Sequence, residues 1–271
     1  MKRNFKIALP ILLVFIGFIA MSFTTGNDSV TLRVNVKKGQ TFTMKGKTNQ
    51  LMTINAQGMN MSVPQTVEMR QSISIDEVND DQFTTSSAIE ACKVTLTQMG
   101  TKLTYDSEHP ENNSPMLAGQ TDELDKNIGK KFTTIYNNRG ELLQSEEITS
   151  NFNYQTGVII PFPEEPVHVG SQWTQDTTMS INNIDMKAVN TYTVSEITKK
   201  TISLTTNSTI KGDSESMAMD MSMSAEGTII IDRATGIVTK TSCKMNCSMT
   251  IEEQGMKIPM TMSMTTESTV E

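Results

Sequence analysis

Histidine is almost absent from this chain. His109 and His168 are the only two in 271 residues, and each lies among proline and turn residues, in SEHPENN and EEPVHVG. No H-E-x-x-H pair, G-x-S-x-G elbow, phosphate-binding loop or dinucleotide fingerprint accompanies them. The sequence therefore predicts no enzyme and no cofactor. Basic clusters are missing too: the net charge is −7 with a pI near 5.0, and the lysine pairs at 37–38, 130–131 and 199–200 sit beside glycine or between strand-like runs. That excludes a nucleic-acid surface, which needs a clustered basic patch. The acidic turn DEVNDDQ, residues 76–82, lacks the ligand spacing and the glycine of a calcium loop. Bulky packing groups are few, with one Trp and 5% aromatics overall, so something else must fill the interior.

Long apolar runs are confined to the start. MKRNFK supplies a basic n-region, and IALPILLVFIGFIAM follows as an apolar stretch of about fifteen residues, shorter than the roughly twenty that span a bilayer. Residues 1–25 read as a signal peptide, with small residues around Ala20 and Ser22 for cleavage. The expectation is a periplasmic or secreted protein with no membrane span after removal of the signal.

From residue 29 onward the pattern is β. VTLRVNV, QFTTSSAIEA, KFTTIYN, NTYTVSEI and GTIIIDRATGIVTKTS alternate apolar with Thr, Ser or charged residues and are rich in β-branched types. The turns NNRG at 137–140 and RATG at 233–236 each join two such runs, with glycine where the backbone turns left-handed. SPMLAGQTDELDKNIGKK predicts a short helix near 115–128, opened by Pro115 and closed by Gly129, and SEEITSNFNYQT at 145–156 a weaker second one. The chain also repeats: VKKGQTFTMKGKT at 36–48 parallels VHVGSQWTQDTTM at 167–179, each with a Gly and, three residues later, an aromatic, Phe42 or Trp173. The fold expected is all-β and mainly antiparallel, two similar curved-sheet or half-barrel units with one or two short helices. The first unit covers 29–156, the second 167–271, and the Pro-rich stretch 157–166 links them.

The segments KKGQTF, YDSEHPENN, GKKFTTIYNNRGEL, FPEEPVHVGSQW, GTIIIDRATG and KIPMTMSMTTESTV together resemble an uncharacterised family of exported bacterial β-proteins, a domain of unknown function, over nearly the whole chain past the signal. Members often look like lipoproteins, whereas this chain has no Cys after its apolar run. The resemblance implies architecture and export and brings no catalytic residues.

What the chain has in excess is methionine, 21 residues, and these recur at every second position. Met217, Met219, Met221 and Met223 do so in SMAMDMSMS, and Met260, Met262 and Met264 near the C-terminus; in SCKMNCSM Met245 and Met249 alternate with Cys243 and Cys247, and Met59 and Met61 form a shorter pair. A period of two places them on one face of a strand. Three readings follow. A deformable thioether face suits an apolar, lipid-like ligand or an envelope partner protein. A Met-filled core would instead serve a structural or accessory envelope protein. Soft ligands would suit Cu(I), with Cys243, Met245, Cys247 and Met249 as the candidate set. Cys243 and Cys247, four apart on a strand, lie roughly 13 Å from each other, beyond the ~7 Å limit for a disulfide. Cys92 is thus left to bridge one of them or to stay reduced in the core.

Overall fold

The computed structural model describes residues 29–56, 59–119, 121–146, 157–181, 184–212, 219–253 and 256–271; the signal-like run 1–25 lies outside them. The alternating segments become twelve strands: β1 (Thr41–Ala56), β2 (Met59–Val78), β3 (Gln82–Gln98), β4 (Thr101–Asp106), β5 (Lys131–Asn137), β6 (Leu142–Ser145), β7 (Gln172–Ile181), β8 (Ile184–Ile197), β9 (Thr201–Gly212), β10 (Met219–Asp232), β11 (Val238–Glu253) and β12 (Met256–Val270). They form one open sheet in the order β6-β5-β3-β2-β1-β12-β11-β10-β9-β8-β7, with β4 pairing β3 off this path. Every strand pair is antiparallel. The first and last strands join the two chain halves, from Met44 opposite Val270 to Ile54 opposite Met260. Segments 29–156 and 167–271 thus feed one continuous sheet.

Alternation gives this sheet two chemically distinct faces. Ile73, Ile75, Val194, Leu204 and Ile231 point to the core face and are buried at one end of the sheet, which we call its base. Two extended straps cover that base. Residues 30–36 bring Leu32, Val34 and Val36, and residues 158–167 bring Val158, Ile159, Ile160 and Phe162, all buried. The straps bond to each other through Val30 and Val167 (N to O, 2.8 and 2.9 Å) and to the hairpin turns, Val34 N to Asn138 O and Asn35 N to Thr235 O, both 2.8 Å. Within the Pro-rich stretch 157–166, Val158, Ile159, Ile160 and Phe162 are therefore core, while Gly157, Glu164, Glu165 and Pro166 are exposed. Its prolines have no N–H to satisfy, while the Phe162 amide donates to Arg139 O at 2.8 Å and the Pro161 carbonyl accepts the Trp173 indole at 3.1 Å.

The sequence repeat has a structural counterpart. Gly39 (φ +84°) donates to Ile75 O while Ile75 N donates to Gln40 O. Gly170 (φ +91°) donates to Val194 O while Val194 N donates to Ser171 O. Both positions turn the chain left-handed into a long strand whose aromatic, Phe42 or Trp173, packs against the shared core.

The helix anticipated near 115–128 is broken. Pro110–Asn112 and Pro115–Leu117 are single 3-10 turns, and α1 covers only Asp122–Asn127. Gly119, at φ +81°, interrupts the helical path between them. Leu117 and Leu124, with Ile128 against them, nonetheless seal a second core cluster over Ile89, Cys92, Leu103 and Tyr105. Of the weaker candidate at 145–156, Ser145 ends β6 and residues 147–156 lie outside the described residues.

Candidate functional site

Away from the base, the core face carries rows of side chains aligned by the pairing register. One row runs Val63, Met52, Met262, Cys247, Met223, Ile210, Ala188 across β2, β1, β12, β11, β10, β9 and β8. A second, further from the base, runs Met61, Ile54, Met260, Met249, Met221. Directly opposed side chains on one face stand about 5 Å apart at Cβ, so each row is a contiguous strip. Met52, Ile54, Met221, Met223, Met249, Met260 and Met262 are half-buried, and Met61 is 37% exposed at the rim. Met221 and Met223 pack on the buried group Met186, Ala188 and Ile210.

The predicted methionines therefore converge where they are described. Met245 and Met264 oppose each other in the next row toward the base, beside Ala225. Met219 lies in β10 opposite Ile251, and Met217 falls outside the described residues. Sequence reasoning missed Met52 and Ile54 of β1 and Val63 of β2. The available sign was parity, because Met44, Met52 and Ile54 share one face of β1.

The candidate copper set does not gather as one group. Cys247 sits between Met223 and Met262 in its row, whereas Cys243 lies two rows closer to the base between Gly227 and Thr266. All three cysteines are free. Burial raises the Cys247 and Cys243 thiols, the latter with help from the Glu226 charge, which holds both in the protonated form. Among the described residues no three His, Cys, Asp or Glu side chains cluster as metal ligands.

The outer face is the opposite in character. Ser222, Ser224, Asn246, Ser248, Thr261 and Ser263, the alternate residues of the Met strands, are exposed. A cleft of about 670 Å³ on this side is lined by Lys45, Lys47, Arg70, Lys93, Asp106 and Glu108 among others. Most of its cations are paired: Lys45 with Glu271 (3.0 Å), Lys47 with Glu68 (2.8 Å), Arg70 with Glu108 (2.8 Å) and Glu90 (3.2 Å), and Lys93 with Asp106 (2.9 Å), while Lys240 in its lining makes no ion pair among the described residues. The Lys93 hydrogen bond holds the Asp106 carboxyl below the usual range. Charges of both signs alternate along this surface, and most of them are spent on one another.

Fold and faces together define a class: an open antiparallel sheet, polar outside, with an apolar thioether face beyond a strapped base. Residues 141–238 match a family of unknown function (DUF6263), in line with the resemblance read from the sequence. No curated protein matches the chain by sequence. Among solved structures the chain is similar to lipovitellin, in a study of its lipid–protein interactions, at 8% identity with a TM-score of 0.51; 88% of this chain and 25% of the lipovitellin chain are covered. It thus spans a quarter of that protein, and the likeness is one of fold. The translocator domain of the autotransporter NalP from Neisseria meningitidis aligns at 6% identity over 87% of this chain and 89% of that one, with a TM-score of 0.23, too low to define a shared fold. Among the described residues no helix is long and apolar enough to cross a membrane.

Proposed function

We propose that the protein is an exported, non-enzymatic binding protein of the cell envelope that holds an apolar, lipid-like ligand on its methionine-lined face. The observation that carries this reading is the continuity of half-buried apolar side chains across adjacent strands, at a distance from the base that the straps do not reach. Cys247, Ile210 and Ala188 in these rows are buried, but the methionines around them stay half-buried, whereas at the base Ile202, Leu204 and Ile231 are wholly buried. Covering apolar area yields about 25 cal/mol per Å², so a ligand laid over several half-exposed thioethers gains several kcal/mol. Methionine suits the task because its three rotatable bonds adapt to acyl chains of varied shape. The fold likeness to lipovitellin, a protein studied for its lipid–protein interactions, supports the same direction at the level of architecture only.

Native mass spectrometry of protein purified from its own envelope tests this. Co-purifying lipid released on unfolding is the expected result. Protein that arrives bare and fails to take up a hydrophobic dye returns the methionines to a structural role, and stoichiometric copper in place of lipid assigns the face to metal.

A further inference from the structure

Between the thioether rows and the strapped base the core face changes character. The row containing Met245 and Met264 continues on one side to Gln50 and Gln65, and on the other through Ala225 to Ser208, Asn190 and Gln175. The next row toward the base runs Val67, Thr48, Thr266, Cys243, Gly227, Thr206, Tyr192, Trp173. Neither of these rows, nor the two thioether rows above them, contains an Asp, Glu, Lys, Arg or His. Uncharged hydrogen-bonding groups therefore adjoin an apolar surface, with no fixed charge within these four rows.

Some of these groups are already spent. Thr48 Oγ1 and Thr266 Oγ1 are 3.0 Å apart, and Ser208 Oγ donates to Asn190 Oδ1 at 2.7 Å. Gln50, Gln65 and Gln175 are different. All are half-buried, and among the described residues none makes a side-chain hydrogen bond. Half-buried amides that pair with no protein group leave both a donor and an acceptor free for a ligand.

Building on the lipid-like reading above, we infer that the ligand is an uncharged amphiphile of the acylglycerol type, its hydroxyl and ester head against the Gln50–Gln65 or Gln175–Asn190 amides and its chain along the thioether rows, and not a fatty-acid anion. An amide presents both donor and acceptor, which matches hydroxyl and ester oxygens. A carboxylate set on this face would be desolvated with no cation to meet it.

The test titrates the delipidated full chain at pH 8 with 1-monooleoylglycerol and, separately, with oleate, which shares its acyl chain. Monooleoylglycerol should bind at least about tenfold more tightly, given the cost of burying an unpaired carboxylate. In Gln65→Lys, or in Gln175→Lys should the first not fold, that ratio should fall at least about tenfold as oleate gains a counter-ion; Gln172→Lys, on the outer face, should leave it unchanged. Equal affinities in the unmodified protein, or a ratio unmoved by the folded core-face lysine variant, overturn the head-group inference while leaving apolar binding intact. Failure of both probes to bind removes the lipid-like reading itself.

Discussion

Gly236 closes the β10–β11 hairpin at φ +72°, and a Cβ placed there would lie 2.3 Å from Arg33 O and 3.0 Å from the Val34 Cα of the first strap. Gly100 has nearly the same dihedral, φ +77°, but nothing within 4 Å of its added Cβ. Alanine at Gly100 should therefore cost only the left-handed strain, about 1–2 kcal/mol. Gly236→Ala carries the same strain and must also push the strap back by roughly 1 Å to restore contact distance. That retreat partly uncovers Leu32 and Val34, which are 3% and 7% exposed. Losing about a third of the burial of two such side chains adds about 1–2 kcal/mol, for a total near 3 kcal/mol. Urea unfolding followed by circular dichroism gives both values. Equal midpoints for Gly100→Ala and Gly236→Ala would show that the strap does not clasp the turn and that the base is organised otherwise.

Face assignment in β10 is tested by Met223→Asp against its neighbour Ser224→Asp: the first, turned inward, should cost about 2–4 kcal/mol, and the second should stay within about 0.5 kcal/mol by the same unfolding assay. Burial, helped by the Asp106 charge, pushes the Cys92 thiol from 9.0 up to about 11. Because the folded-state value is the higher, the unfolded chain gives up its proton first, and stability should fall by about 2–3 kcal/mol as pH rises from 9 to 11, a component that Cys92→Ala abolishes in pH-dependent unfolding. N-terminal sequencing of protein from the native host should find a start between about residue 20 and residue 28, whereas an intact Met1 in a membrane fraction would contradict soluble export.

Strand content and both hairpin turns were legible because alternation and a left-handed glycine are local properties, visible at Gly140 and Gly236 without any partner. What joins the halves was not local. The β1–β12 pairing connects residues more than two hundred positions apart, and an alternating pattern is silent on which neighbour it will meet. The Pro-rich stretch read as a linker because proline is a poor ladder residue; that Val158, Ile159, Ile160 and Phe162, before and between those prolines, are apolar was the sign that this crossing also packs. The short helix was legible from Pro115, the apolar spacing and Gly129, but its first turns were not, because Gly119 takes a left-handed conformation that leaves only Asp122–Asn127 as α-helix. Within the site, the methionine rows were legible by parity. Gln50 and Gln65 were not, although each occupies the apolar parity of its strand, Gln50 with Met52 and Ile54, Gln65 with Val63 and Val67.

Peroxide footprinting tests the occupied thioether face most directly, since oxidation converts an accessible thioether to a sulfoxide that peptide mass spectrometry counts residue by residue. Met99 and Met116 are 84% and 65% exposed and lie off this face, so they serve as internal references. With monooleoylglycerol bound, Met221, Met223, Met249, Met260 and Met262 should oxidise several-fold more slowly than in the delipidated protein, while Met99 and Met116 oxidise at the same rate in both. Identical oxidation of all seven methionines with and without lipid would contradict a ligand on this face.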